Sequence, residues 1–361
     1  MNIGLSLQLK PVGSHCNLQC KYCYVLPFLS KSLEIMSREV LERSLSGCII
    51  NNKEPQITWH GGEPTLPGIN FYRNTQKIIE KYRGPGQKIS QVLQTNGTLI
   101  DKEFAQFFKE NDFEIGISID GPKHIHNINR IKKSGKGTFD NTMRGLEILR
   151  QEGINPSVIA TVTVETLKFA GEVFDFLVKN GFRSIKYSPV FDTFNYEFNI
   201  SSEQWYRYLC VVFDRWIEYG DPNLSIMQLD EIIAWLDSTE NPYPMCSSAS
   251  RCIQWISIDP DGSMYPCAYF KADMSYGNIL EIPLVDVIKT HNYKHFRSIF
   301  ITPPKKCHKC NFYNFCGNGC PSTRVDNTRI NPKGVYVYCE ERRRLFKKIK
   351  QAFEKEIKNS E

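Results

Sequence analysis

A chain of 361 residues, 41% apolar and 23% charged, is long enough to bury one large core or two ordinary ones, and its balance excludes a disordered or fibrous protein. The formal charge of +6, from 45 basic and 39 acidic residues, is too mild to indicate nucleic acid, and no apolar run reaches bilayer-spanning length, so neither nucleic acid nor membrane is an expected partner. The N-terminus MNIGLSLQLKPVG lacks the basic, apolar and small-residue order of a signal peptide; the chain reads as cytoplasmic, where its thirteen cysteines stay reduced and read as metal sites rather than disulfide staples.

The first 190 or so residues alternate β-rich runs with helical patterns. The runs predict strands over residues 5–9, 56–60, 89–93, 114–119, 158–164 and 184–187. Between them the periodicity predicts helices over 38–50, 101–110, 139–151 and 165–179, with Gly153 and Gly181 just past two of them, where helices stop. Such alternation implies a parallel sheet with helices outside, doubly wound or closed toward a barrel, and places function at the C-terminal ends of the strands. The loops after the first four strands are the informative ones: residues 16–23, then GGEP, QTNGT and SIDGP. Beyond residue 190, helical patterns over 203–218 and 226–237 lead to the Pro-rich NPYPM and a cysteine-rich segment, 246–339. Within it, WISIDPDGSMYPC alternates about an Asp-Pro-Asp-Gly turn and predicts a β-hairpin. In the basic tail, Leu345, Ile349, Phe353 and Ile357 recur at helical spacing: a docked amphipathic helix, or a polybasic contact to a partner.

Cys16, Cys20 and Cys23 stand in HCNLQCKYCY as CxxxCxxC. Three thiolates at this spacing can hold three irons of a cubane and leave the fourth iron open, and an open metal position is where chemistry happens; a zinc knuckle or three unrelated thiols are the bland alternatives. Eight more cysteines, Cys246, Cys252, Cys267, Cys307, Cys310, Cys316, Cys320 and Cys339, are enough to close two sites of four thiolates each. Soft thiolates suit iron–sulfur clusters and zinc alike, so this segment by itself leaves the metal open. Cys48 and Cys210, the last two of the thirteen, lie in apolar helical patterns and read as inert buried thiols.

The CxxxCxxC loop, with Tyr22 before its last cysteine and GGEP downstream, resembles the radical S-adenosylmethionine (SAM) enzymes. The distal cysteines resemble the SPASM extension of that group: Cys252, nine residues, Gly262, four residues, Cys267, then CxxCxxxxxCxxxC from Cys307 to Cys320, then Cys339. The resemblance implies an α/β fold, a partial (β/α)6 TIM-type barrel with a C-terminal cysteine-rich SPASM extension. It divides the chain into a barrel over 1–195, a helical linker over 196–240, a SPASM domain over 241–340 and a terminal helix over 341–361. It implies three [4Fe-4S] clusters and S-adenosyl-L-methionine as cofactors. Cys16, Cys20 and Cys23 would hold the open cluster; Cys246, Cys252, Cys267 and Cys320 one auxiliary cluster; Cys307, Cys310, Cys316 and Cys339 the other. The open cluster would cleave the sulfonium and release a 5′-deoxyadenosyl radical, with flavodoxin or ferredoxin as the reducing partner. Tyr22, Gly61, Gly62, Glu63, Thr95, Asn96, Ser118, Asp120 and Arg130 are the expected cofactor-binding residues, the two glycines admitting close backbone approach and the polar groups suiting ribose and carboxylate. Each has a plainer reading: GG as a tight turn, NG as an ordinary turn, Arg130 as a solvated member of a basic stretch. His124 and His126, beside the same loop, read as structural.

LQTNGTLID and SIDGPKHIHNINR look like the anaerobic sulfatase-maturating enzymes, which oxidise a cysteine or serine of a sulfatase to formylglycine. Three positions depart from that pattern. Ala268 stands where the group places its aspartate base, Val25 where it has tyrosine, and His60 where it has glutamine. Alanine cannot accept a proton, so the catalytic base is unidentified, with Asp273 and Tyr269 as neighbours able to replace it. WHGGEP also looks like the maturases of ribosomally made peptides (RiPPs), and oxidation or cross-linking of such a precursor peptide is the expected function, with sulfatase maturation the alternative. Fifteen residues precede Cys16, too few for a leader-gripping winged helix, which leaves the barrel, the SPASM segment or a separate leader-peptide-binding protein to grip a leader. A reading from another class is an iron–sulfur electron carrier, or a zinc-stapled binding module, that does no chemistry.

Overall fold

The computed structural model describes residues 4–26, 32–191, 196–236, 251–270, 274–326 and 329–360. In chain order the main elements are β1 (Ser6–Leu9), α1 (Arg38–Ile50), β2 (Gln56–Trp59), α2 (Ile69–Tyr82), β3 (Ser90–Thr95), α3 (Lys102–Glu110), β4 (Phe113–Ser118), α4 (Lys123–Asn129), α5 (Phe139–Gln151), β5 (Ser157–Val162), α6 (Ala170–Lys179), β6 (Ser184–Pro189) and α7 (Ser202–Tyr219). These are the six strand–helix units expected of a partial barrel. There follow β7 (Ser225–Ile226), α8 (Met227–Leu236), β8 (Trp255–Ile258), β9 (Ser263–Tyr265), β10 (Gly277–Asn278), α9 (His291–Ile301), α10 (Lys305–His308), α11 (Tyr313–Cys316), β11 (Arg324–Asp326), β12 (Arg329–Ile330), β13 (Val335–Tyr336) and α12 (Cys339–Ser360). No helix among the described residues is long and apolar enough to cross a membrane.

The chain forms two compact units, each discontinuous in sequence. The first takes residues 1–118, 129–156 and 251–301. Its sheet runs β10-β9-β8-β1-β2-β3-β4, and β1 through β4 are parallel neighbours. The predicted hairpin is present: β8 and β9 pair antiparallel, with Gly262 at φ +87° in the turn. Beyond that expectation, β8 also lies parallel to β1, Leu7 opposite Ile256. Alternation orients each strand: on β3, Gln91, Leu93 and Thr95 face inward while their neighbours are part-exposed. Leu7, Leu9, Ile57, Trp59, Leu93 and Ile256 are fully buried there beneath α1, α2 and α3. Ser37 and Asp101 cap α1 and α3 through the amides of Val40 and Phe104.

The second unit takes residues 119–128, 157–250 and 302–361. Strands β5, β6 and β7 are parallel in that order, and β12-β11-β13 form a small antiparallel sheet. The helix expected over 165–179 begins only at Ala170. Thr166 Oγ1 accepts the Thr163 amide at 3.0 Å and donates to the Thr163 carbonyl at 3.2 Å, and this local pairing competes with a helical turn. α7 opens on a capping box of Ser201 and Gln204. The tail forms α12, whose Leu345, Phe346 and Ile349 are buried, while Arg344 and Lys348 ion-pair with Glu203 and Asp214 of α7. That is the docked amphipathic helix of the sequence reading.

Candidate active site

The loop after β1 carries Cys16, Cys20 and Cys23, and backbone hydrogen bonds hold it from two sides. The amides of Gly62 and Glu63 donate to the carbonyls of Gly13 and His15 at 2.8 and 2.9 Å. The amides of Gln19 and Lys21 donate to Ile131 and Asn129 at 2.8 and 3.0 Å. Backbone bonds thus place the loop between the end of β2 and the end of α4.

This docking explains the two glycines. Gly61 sits at φ +113°, and a Cβ there would lie 2.6 Å from the Gly13 carbonyl oxygen. A Cβ on Gly62 would overlap the His15 carbonyl outright. The bulk that both residues omit is needed by the cysteine loop itself. Gly62→Ala should destabilise the protein by about 3 kcal/mol, the upper range for forced overpacking, and should release the loop. Thermal unfolding and the iron content after reconstitution would measure both effects.

Glu63 is the hub beneath the loop. Its side chain is buried, and Oε1 accepts hydrogen bonds from Thr65 N, Thr65 Oγ1 and Thr95 Oγ1 at 3.1, 2.6 and 2.7 Å, while Oε2 accepts from Asn96 N at 2.8 Å. Burial pushes its pKa up, and these four donors pull it back. Asn96 passes the constraint on: its Nδ2 donates to Asn17 Oδ1 at 2.9 Å and lies 3.8 Å from Cys16 Sγ, and its Oδ1 accepts from Thr98. Asn17 in turn donates to Thr98 Oγ1 at 2.9 Å. Asn17 and Thr98 escaped the sequence reading, although each lies within two residues of a residue it named.

The Cys16 thiol is pushed up to about 12, first by burial, then by Glu63 and by the neighbouring Cys20 and Cys23. Burial over a carboxylate keeps the Cys16 thiol from ionising unaided, whereas a cationic iron core would supply the missing charge. The Leu18 amide, 3.4 Å from Cys16 Sγ, and Asn96 Nδ2 are donors suited to a cluster-bound sulfur. The donor set fits a cubane. No group of three or more His, Cys, Asp or Glu among the described residues converges on a single-ion site; cubane thiolates sit on separate irons and need no such convergence.

Ser118 ends β4 and accepts from Gln94 Nε2 at 3.0 Å. Arg130 is buried, not solvated, and its guanidinium lies 5.5 Å from the centre of the Tyr22 ring, which is itself buried beside the triad. Asp120 belongs to the second unit, where it accepts from the Thr161 amide at 2.9 Å while its own amide faces His126 Nδ1. His126 is wholly buried and His124 pairs with Glu172 at the surface, the structural roles expected of both.

The three divergent positions all lie in the first unit. His60 Nδ1 accepts the Gly61 amide at 2.7 Å, and Val25 is buried. Ala268 is buried, its amide donating to Gln8 Oε1 at 3.2 Å. Next to it, Tyr269 stacks on Tyr24 with ring centres 4.4 Å apart. Asp273 lies outside the described residues.

The distal cysteines divide. Cys246 lies outside the described residues; Cys252 and Cys267 belong to the first unit, where Tyr276 neighbours both, and Cys320 belongs to the second. Cys307, Cys310, Cys316 and Cys339 all line one cavity of about 90 Å³ in the second unit, with Phe312, Phe315, Arg342 and Phe346. Burial and the neighbouring thiols push Cys307 up, and burial takes Cys339 to about 11. The segment CGNGC turns through left-handed backbone at Gly317, Asn318 and Gly319, with φ of +55°, +65° and +62°. The carbonyls of that turn all point to Arg324, which is buried: its Nε donates to Asn318, and its Nη2 to Gly317 and Gly319, at 2.9 to 3.2 Å.

Comparison with known proteins gives five findings. Residues 11–177 match the Radical SAM superfamily, and residues 246–311 match an iron–sulfur cluster-binding domain, SPASM. A cysteine-type anaerobic sulfatase-maturating enzyme of Clostridium novyi is 30% identical, across 96% of this chain and 95% of its own. A serine-type enzyme of the same description from Bacteroides thetaiotaomicron is 29% identical, across 93% and 87%. Among solved structures, native anSMEcpe with bound AdoMet and the Cp18Cys peptide is 28% identical and superposes with a TM-score of 0.86 over 99% of both chains.

Proposed function

The chain belongs to the family of the anaerobic sulfatase-maturating enzymes within the radical SAM superfamily, and from that membership we propose that it oxidises a cysteine or serine side chain of a sulfatase to formylglycine. The observation that carries the reading is end-to-end likeness, over 99% of both chains, to a maturase solved with AdoMet and a peptide. This reverses the order of the two functions expected from sequence: sulfatase maturation comes first and cross-linking of a ribosomal peptide second.

In this reading Cys16, Cys20 and Cys23 hold the cluster, and the backbone of 61–63, with Asn96, Ser118 and Arg130, faces S-adenosylmethionine. Once bound, the pair supplies a 5′-deoxyadenosyl radical when an electron arrives from a carrier such as flavodoxin or ferredoxin. The chain's part is to place and to shield. Glu63 and Asn96 fix the loop, Arg130 lies over the Tyr22 ring, and Tyr24 stacks on Tyr269, the residue after Ala268. Ala268 keeps peptide cross-linking alive as the second reading, because the aspartate expected of a maturase at that position is missing.

Anaerobically reconstituted protein, given SAM, dithionite and sulfatase-derived peptides bearing cysteine or serine at the target, should release 5′-deoxyadenosine and oxidise one of the two, seen as a mass shift of that residue. Deoxyadenosine without modification of either peptide would overturn sulfatase maturation. A cross-linked precursor peptide would establish the second reading. Iron near zero with stoichiometric zinc would overturn both.

A further inference from the structure

Four cationic residues, Lys306, Lys309, Arg342 and Arg343, line the cavity of Cys307, Cys310, Cys316 and Cys339. Lys306 and Arg343 are half-exposed, with 51% and 40% of their side chains accessible, and both pair with Glu340, so water and that carboxylate screen them. Arg342 differs. Its side chain is only 13% exposed; Nη1 lies 3.9 Å from Cys316 Sγ, and Nη2 lies 3.3 Å from an oxygen of Glu231, itself 2% exposed. The rings of Phe315 and Tyr336 stand 5.1 and 5.6 Å from the guanidinium and keep water from it. A buried arginine directed at one thiolate, and held from behind by a buried carboxylate, is more than this helix needs in order to pack.

We propose that Arg342 is a positioning residue that sets the reduction potential of the second auxiliary cluster, with Glu231 as its counterweight. The inference rests on reading the four cysteines as a cluster site. Adding an electron to an iron–sulfur cluster adds negative charge. A fixed guanidinium at a ligating sulfur favours that state, both through its charge and through hydrogen bonding to the sulfur. The low-dielectric surroundings strengthen the effect. Glu231 acts in the opposite sense, and by anchoring Nη2 it keeps Nη1 turned to Cys316. Arg324 differs in kind: its charge also reaches Cys307, but the donors described above go to backbone carbonyls and shape the loop.

The test is a redox titration of the full, reconstituted chain followed by electron paramagnetic resonance, with the signal lost in Cys310→Ala identifying this cluster. Arg342→Gln should lower its midpoint potential by at least a tenfold change in the reduced-to-oxidised ratio, about 59 mV for one electron, with iron content unchanged. Glu231→Gln should shift it upward, and Arg342→Lys should fall between the wild type and Arg342→Gln. A purely structural arginine does not produce shifts of opposite sign from its two partners. Full iron with no shift in Arg342→Gln would overturn the proposal while leaving the cluster reading intact. If Arg342→Gln fails to hold iron, Glu231→Gln decides: no upward shift overturns it. Wild-type protein with Cys310→Ala indistinguishable from it in iron and spectrum would instead remove the cluster reading beneath the proposal.

Discussion

Replacing Cys16 by alanine should abolish S-adenosylmethionine cleavage, 5′-deoxyadenosine falling to background, while the protein should stay folded and keep its distal iron. The scaffold holds Cys16 closely: its sulfur meets the Leu18 amide and Asn96, and its neighbours Asn17 and His15 are tied to Asn96 and Glu63. With two thiolates left, a cubane has lost one of its three protein ligands, and neither Leu18 nor Asn96 can replace a soft anionic donor. The two contacts to the sulfur go with it, but the bonds that run through the backbone and through Asn17 survive the substitution, so the loss is one of chemistry rather than of fold. Iron analysis should show roughly four of about twelve irons gone. Retained cleavage would mean that the open cluster lies elsewhere.

Arg324→Met has the largest expected effect on stability, about 4 kcal/mol, because it strips a charged donor from several buried carbonyls at once. Methionine fills much of the space and offers no N–H. The carbonyls of Gly317, Asn318, Gly319 and Pro332 then face an apolar side chain, in a turn whose left-handed backbone already has little tolerance. The four-cysteine cavity should open, and iron should fall by roughly one cluster. Denaturant unfolding and iron content check the two halves of this expectation, and Arg324→Lys should recover only part of either, since one ammonium cannot reach all four oxygens.

The cysteine framework was legible as a spacing, and 307, 310, 316 and 339 line one cavity. The parallel units were legible from alternation, with boundaries two residues off at β3, which runs to Thr95 and so makes part of a presumed loop the end of a strand. Residue types on the rim were visible, but their directions were not. Glu63 was visible as a candidate cofactor ligand, whereas the donors Thr65, Thr95 and Asn96 on its carboxylate are brought together only by the folded chain. Gly62 is written as a turn residue, while what forbids a side chain there is the carbonyl of His15, nearly fifty residues away. Arg130, Arg324 and Arg342 sit in ordinary basic surroundings. Nothing local marks them as buried, because burial is decided by Tyr22, by the 317–319 turn and by Glu231 respectively.

The pairing of β1 with β8 has a consequence for the history of each molecule. Residues 6–9 leave the ribosome early, yet one of their two neighbours, residues 255–258, is made some 250 residues later. At about 5–20 residues per second, that edge of a hydrophobic strand stands open for tens of seconds. During that time it is a template for any other nascent strand that drifts past. Low growth temperature or a chaperone that shields extended segments should therefore raise the soluble yield more than added iron does. For this protein the hazardous interval is synthesis, before any metal has been bound.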